Sequence, residues 1–425
     1  MEIFKFGGAA LQNPTSISQF GTIICSYKGN ALVIVVSAMG KVTRALETIL
    51  EKQIHQQSYE AAIEDVYTYH LHIIQSLWGD IHTPLQQELN DWKKQIHQDL
   101  HSTYQPEDLE KLYSQIVAWG EILSSRITYH YLLHLGINCT WVDARKYIKT
   151  KVGYINAQVD QTLTRDLVGK NLKPLLQHTP ILLTQGFIGS DAMGHTTTLG
   201  KEGSDYTGAI LAAALGAQSL TIWKDVPGIM NADPKIFQEA KQFKELSYET
   251  MAAMSFYGAQ VVHPKTIYPL ALQDIPLHIR PFSNKDAAGT IVSNHHQAKE
   301  SSPLPVYVLR TDQVWMKLQV EDFCFFEEKQ LAIVFEAFDR LSLRINFLER
   351  TPYHIAICLT YDYIKLEQLL SILQPIFKVE FRSNVSLLTI MGQEETPVCN
   401  ILEGVAILAQ QRYQSVCQIA FYNYK

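Results

Sequence analysis

The chain predicts an α/β fold, a mostly parallel central sheet between helical layers, followed by a smaller α+β region. Three observations carry that expectation. Short, nearly unbroken apolar runs at Ala31–Val36, Ile181–Thr184, Leu220–Trp223 and Leu277–Ile279 have the length and composition of strands buried on both faces. Helical patterns, notably Gly208–Leu215 and Ser247–Phe256, separate them, and this alternation suits a parallel sheet covered on both sides. Glycine turns stand at strand ends and helix starts, at Lys5-Phe6-Gly7-Gly8 and along Thr197–Thr207 (TTLGKEGSDYT).

In order along the chain, the N-terminus opens directly on a strand and the first glycine turn, leaving no room for a signal peptide. Between Thr43 and Gly136 the sequence is mostly helical. Leu46–Gln56, Tyr59–Leu77, Pro84–Leu100 and Asp108–Leu135 carry apolar residues three and four apart. Gly136 is the expected stop, before a strand at Cys139–Val142. Asn294–Pro305 (NHHQAKESSPLP) reads as a linker by composition. Beyond it the pattern becomes strand Trp315–Val320, helix Glu327–Leu341 and strand Ile355–Leu359. A second round follows: helix Lys365–Leu373, strands Val379–Phe381 and Val385–Ile390, helix Thr396–Gln410 and strand Val416–Tyr422. Two βαββ-like units are therefore expected. The organisation is 1–293, linker 294–305, and a second region over 306–425.

Composition narrows the function. A chain of 425 residues suits two or three domains, and 47% hydrophobic residues fill cores without approaching membrane composition. Acidic residues outnumber basic ones, 42 to 36, so there is no general attraction to nucleic acid or anionic membrane. The six cysteines lack metal or redox spacing and are expected as buried free thiols in a reducing compartment. The fifteen histidines form no ligand spacing, and His70/His72 reads as a solvated or helix-face pair. No protein metal cage and no spanning segment is expected, and the location is cytoplasmic.

The two glycine turns supply the chemistry. A glycine turn feeding a helix presents backbone N–H groups and a positive dipole end to an anion. Lys5 and Lys201 add full charges, Ser204 suits an N-cap, and Asp205 opens the helix.

Further segments join them in order. These are Val36-Ser37-Ala38-Met39-Gly40-Lys41-Val42-Thr43, Trp119-Gly120-Glu121-Ile122-Leu123-Ser124-Ser125-Arg126, Val142-Asp143-Ala144-Arg145 and Thr184-Gln185-Gly186-Phe187-Ile188-Gly189. Trp223-Lys224-Asp225-Val226-Pro227-Gly228 with Asp233-Pro234, and Val262-His263-Pro264-Lys265, complete the set. Together they resemble the amino-acid kinase family and, within it, the aspartate kinases, over roughly Ile3 to Ile291. The region after the linker resembles, more loosely, the tandem ACT domains that follow such catalytic domains.

The resemblance implies transfer of the ATP γ-phosphoryl to the side-chain carboxylate of L-aspartate, with magnesium bound alongside ATP. Lys5 and Asp205 are the implied catalytic pair. Aspartate falls to Ser37, Thr43, Glu121, Phe187, Lys201 and Ser204. ATP falls to Lys5, Phe6, Gly7, Gly8, Lys224, Asp225, Met230, Lys235 and Gln260. Several positions depart from the family pattern. Ala9 stands where a hydroxyl is usual, Lys201 where arginine is, and Glu202 where glycine is common. A tyrosine near Met230 and a lysine near Gln260 are also usual.

A homodimer or higher assembly through the ACT-like region is implied. That region stops short of the usual last helix and strand, and its turn Asp322-Phe323-Cys324-Phe325-Phe326 lacks glycine, which together imply weak feedback control. The competing readings are another amino-acid kinase, acting on acetylglutamate, glutamate or a nucleotide monophosphate, and a catalytically weak amino-acid sensor.

Overall fold

The computed structural model describes residues 1–79, 83–101, 108–259, 262–294, 304–320, 325–392 and 399–423. The chain divides into two compact units. The first comprises Met1–Ile229, Lys244–Ala252 and Val261–Gln297, the second Met230–Phe243, Ala253–Gln260 and Ala298–Lys425. The second unit thus takes two segments from within the stretch expected as one catalytic domain.

The first unit is organised by an eight-stranded sheet. Its strands are β1 (Glu2–Phe6), β2 (Leu32–Val36), β3 (Cys139–Trp141), β4 (Ile181–Gln185), β7 (Leu220–Lys224), β8 (Glu245–Ser247), β9 (Leu277–Pro281) and β10 (Thr290–Ser293), with a small separate hairpin of β5 (Ile188–Ser190) and β6 (Thr196–Thr198). The order is β3-β4-β2-β1-β7-β9-β10-β8, and every pairing is parallel except β9 with β10. The central strands hold because Leu32, Val33, Ile34, Val35 and Val36 are all fully buried, as a two-sided strand requires.

The helices of this unit are α1 (Pro14–Cys25), α2 (Val42–Ile54), α3 (Glu60–Trp78), α4 (Thr83–His101), α5 (Leu109–His134), α6 (Gln161–Leu167), α7 (Lys173–His178), α8 (Gly203–Leu215) and α10 (Pro264–Ala271). α9 (Tyr248–Tyr257) matches the expected Ser247–Phe256 helix. The four expected helices between Thr43 and Gly136 are α2 to α5. They pack Leu46, Ile49, Ile63, Val66, Trp92, Ile96, Ile116 and Leu123 into one core with the β1–β2 side of the sheet. His70, expected as a solvated or helix-face residue, lies on α3 and faces that core at 0% exposure. Burial pulls its imidazole down to about 4, so it stays neutral, its Nδ1 bonded to the Val66 carbonyl at 2.8 Å. Of the described cysteines, Cys139, Cys358 and Cys417 are buried as expected, but Cys25 is exposed.

The sheet brings β1, β2, β4 and β7 to a common carboxyl edge, where ligands of open α/β sheets sit. Gly186 lets the end of β4 run against the start of α8. A Cβ there would fall 2.7 Å from the Ser204 Cα. Gly186→Ala is therefore expected to displace the first turn of α8 and destabilise the protein by about 1–3 kcal/mol, read by urea denaturation. An unchanged midpoint would show that this turn gives way freely.

The second unit carries a six-stranded antiparallel sheet. Its elements are β11 (Val306–Gln319), α11 (Glu328–Arg340), β12 (Ile345–Arg350), β13 (His354–Thr360), α12 (Tyr363–Leu373), β14 (Lys378–Met391), α13 (Cys399–Leu402), β15 (Val405–Tyr413) and β16 (Val416–Asn423), ordered β12-β13-β11-β14-β16-β15. Two βαββ units result, β11-α11-β12-β13 and β14-α13-β15-β16, fused by the long β11–β14 ladder.

Three sequence expectations change here. The strands Val379–Phe381 and Val385–Ile390 are one strand, β14. β12 was not anticipated. Of the helix expected over Thr396–Gln410, residues 396–398 lie outside the described residues, Cys399–Leu402 form α13, and Val405–Tyr413 is a strand. Its Ala, Leu and Gln residues favour helix, but pairing with β16 across a tight turn, with Gln414 at φ 50°, overrides that preference. Of the glycine-free turn Asp322–Phe326, residues 322–324 lie outside the described residues, as does 295–303 of the expected linker.

Candidate active site

The carboxyl edge of the first sheet opens into a cleft of about 710 Å³. Lys5, Gly7, Gly8, Ser37, Thr43, Glu121, Phe187, Lys201, Ser204, Asp205, Lys224 and Asp225 all line it. The structure thus gathers most of the residues singled out from the sequence, drawn from positions 5 to 225.

Its floor is made by loops that leave adjacent strands. Ser37 donates its N–H to the Phe6 carbonyl at 3.1 Å, and Gly40 donates to the Gly8 carbonyl at 3.0 Å. Gly8 is required by this approach, since a Cβ would lie 2.8 Å from the Ala38 carbonyl oxygen. Phe187, at φ 67°, donates its N–H to Thr207 Oγ1 at 3.0 Å, which ties the loop after β4 to α8.

Asp205, 2% exposed in the first turn of α8, is held by two cations. Lys5 Nζ pairs with Oδ1, and Lys224 Nζ lies 3.3 Å from Oδ2. Burial raises the carboxyl, but the two lysines outweigh it and hold Asp205 below the usual carboxylate range. It is an anion throughout the neutral range, and both ammonium groups are oriented by it.

Glu121, on α5 and 3% exposed, is the opposite case. Its Oε1 accepts the Ala38 N–H at 3.3 Å, while Oε2 is buried with no hydrogen-bond partner. Burial pushes its carboxyl up to about 8, with Ala38 and Lys5 offsetting only part of the cost. A buried oxygen without a partner in a cleft wall can take up a hydrogen bond from a donor placed in the cleft.

Glu202 stands at φ 56°, a left-handed conformation that explains why glycine is usual there, and its Oε2 is also buried without a partner. Lys201 beside it is exposed.

Other sequence assignments land elsewhere. Phe6 is fully buried, its ring stacked on Trp223 at 6.0 Å between centroids, so only its backbone serves the floor. Met230 and Lys235 belong to the second unit, and Gln260 lies outside the described residues. The Trp119–Arg126 segment is mostly joinery around Glu121. Trp119 donates to Asp99 at 3.1 Å, Ser124 to the Ser37 carbonyl at 2.6 Å, and Arg126 grips Glu88 through two nitrogens.

Glu47, Tyr113, Ile155 and Asn156 line the cleft although the sequence reading passed over them. Tyr113 donates to Glu47 Oε1 at 2.8 Å. Its place two turns before Glu121 on α5 was the available signal.

The amino acid kinase family profile matches residues 1–281, about two thirds of the chain. The chain belongs to the amino acid kinase family. Within that family, it is 28% identical over 425 residues to lysine-sensitive aspartokinase 3 of Escherichia coli (strain K12), covering 98% of this chain and 92% of that protein. It is 33% identical over 298 residues to bifunctional aspartokinase/homoserine dehydrogenase 2 of Arabidopsis thaliana, which is 68% of this chain and 32% of that longer protein. The crystal structure of E. coli aspartokinase III in complex with aspartate and ADP superposes with a TM-score of 0.83 at 25% identity, covering 100% of this chain and 96% of that one. Among the described residues no helix is long and apolar enough to cross a membrane, and no cluster of three or more His, Cys, Asp or Glu residues could hold a metal ion.

Proposed function

We propose that this protein is an aspartate kinase, transferring the ATP γ-phosphoryl to the side-chain carboxylate of L-aspartate to give 4-phospho-L-aspartate. One observation carries the reading. A single cleft joins a phosphate end, with glycine loops and lysines around Asp205, to a buried carboxylate oxygen of Glu121 that has no partner. The full-length similarity to aspartokinase 3 supports the same choice.

In this reading the Gly7 and Gly8 backbone cradles the nucleotide phosphates, with Lys224 and Asp225 beside them. Lys5 bears on the phosphoryl as it moves and so favours the transition state over the ground state. Glu121 takes the ammonium of aspartate, and Lys201 takes its α-carboxylate. Ser37, Thr43, Phe187 and Ser204 shape the space between. Met230, Lys235 and Gln260 are assigned to the nucleotide on the resemblance alone.

The residues present fit a magnesium ion carried mainly by the nucleotide phosphates. Both Asp205 oxygens face lysines, and the exposed Asp225 carboxylate is available to one of the ion's waters. Magnesium, when bound, neutralises phosphate charge.

The deciding assay is ADP formation with aspartate, glutamate and N-acetylglutamate in turn. Turnover confined to aspartate is expected; turnover on acetylglutamate or glutamate instead would overturn the reading.

Lys201→Arg is expected to tighten aspartate binding about fivefold, near 1 kcal/mol, because a guanidinium grips a carboxylate through two donors. Weaker binding in calorimetry would show a pocket built around the lysine.

The two βαββ modules are read as tandem ACT-type domains that pair subunits. Light scattering should give a dimer or larger; a monomer at micromolar concentration would count against it. The product would feed lysine, threonine and methionine synthesis in the cytoplasm.

A further inference from the structure

Asn156 lines the cleft from an arm of the chain over residues 150–159. The arm closes on itself through an antiparallel bridge between Thr150 and Val159, and Lys151 donates its N–H to the Gln158 carbonyl at 2.8 Å. Its tip is fixed on both sides of Asn156. The Tyr154 carbonyl accepts the Thr198 N–H at 2.7 Å and the Ser114 hydroxyl at 2.9 Å, while Ala157 donates its N–H to the Thr198 carbonyl at 2.8 Å. Contacts with β6 and α5 therefore set where Asn156 stands.

Asn156 has φ 53°, a left-handed conformation that asparagine tolerates. Its carboxamide lies over Gly200, the residue before Lys201, and a Cβ added to Gly200 would overlap Asn156 Oδ1. Gly200, itself at φ 80°, leaves the amide this room. Because Oδ1 is the end nearest Gly200, the side-chain NH2 is the end left to donate. Among the described residues it has no hydrogen-bond partner. Asn156, Gly200 and Lys201 all line the cleft that also holds Thr43 and Glu121.

A lysine meets a carboxylate as a point charge, whereas the carboxylate has two oxygens and can take a donor on each. An amide N–H fixed beside the lysine supplies the second donor. We infer that Asn156 is a specificity-determining residue of the acceptor site, its side-chain NH2 joining Lys201 on the α-carboxylate of the amino acid. The inference rests on the kinase reading and on the place given there to Lys201. The competing possibility is that asparagine stands at 156 only because it accepts a left-handed backbone.

Steady-state kinetics on the full-length protein separates the two, with wild type, Asn156→Gly and Asn156→Asp compared for aspartate and for ATP. Position 156 is exposed, so both variants are expected to fold. Glycine suits the backbone and loses the amide; aspartate keeps the shape but replaces the donor with a charge of the same sign as the substrate. The inference predicts an aspartate KM raised about tenfold in Asn156→Gly and about a hundredfold in Asn156→Asp, with KM for ATP within about twofold in both. It also predicts coupling with Lys201. Lys201→Arg brings its own second donor, so in that background Asn156→Gly should cost less than about threefold.

An aspartate KM unchanged in Asn156→Asp, one that rises together with that for ATP, or a loss undiminished by Lys201→Arg overturns the inference. A wild-type protein inactive on aspartate would instead overturn the kinase reading, before any variant is compared.

Discussion

Lys5→Ala is expected to lower turnover by at least a hundredfold while leaving the fold in place. The Lys5 ammonium is nearly buried, fixed by Asp205, and next to the glycines that would hold the phosphates. Preorganised charge of that kind acts where water screens it least, and its loss costs roughly 3 kcal/mol of barrier. Melting temperature should fall only modestly, because Lys224 still balances Asp205. Steady-state kinetics beside circular dichroism tests the assignment. A folded variant retaining more than about a tenth of wild-type turnover would remove Lys5 from the mechanism.

Glu121→Gln is expected to raise the aspartate KM by well over tenfold and leave that for ATP nearly unchanged, since only the ammonium loses its counter-charge. Its pH dependence is the sharper test. With its carboxyl pushed up to about 8, Glu121 is mostly protonated at pH 7 in the empty site. Binding an ammonium requires the carboxylate, so a proton leaves as aspartate enters. Wild-type affinity for aspartate should therefore rise with pH up to about 8, and calorimetry in buffers of different ionisation enthalpy should detect proton release. Glu121→Gln should show neither effect.

Stability moves in the opposite sense. A carboxyl with a raised folded pKa costs nothing below its ordinary range near 4.5 and costs progressively more as pH rises toward 8. The glutamine variant should accordingly melt above wild type at pH 8 and equal it near pH 4. Flat affinity across pH 6.5–8 in the wild type would show that Glu121 is ionised before the substrate arrives.

Much of this molecule is legible in its sequence. Ala31–Val36 reads as an interior strand because six consecutive apolar residues have little use in water, and Leu220–Trp223, broken only by Thr221, reads the same way. The bundle between Thr43 and Gly136 was written in its three-and-four spacing. Glycines at 7, 8 and 200 announced loops that approach something closely. The order of these segments named the family, and most of the expected site residues do meet in one cleft.

Other features depend on relations between distant elements, which no local pattern encodes. Val405–Tyr413 is a strand because β16 folds back on it, against its own helical preference. His70 and His72 look alike in sequence, yet His70 has 0% exposure because α3 turns it into the core.

The site shows the division most clearly. The sequence by itself determined which charges the protein owns: Lys5, Glu121, Asp205 and Lys224. Packing then assigned their states. Asp205 and Glu121 are both buried carboxylates, but one meets two ammonium groups and stays ionised, while the other meets a single N–H and is pushed up to about 8. The cost of removing charge from water depends on what surrounds it, and only the folded chain brings those surroundings together.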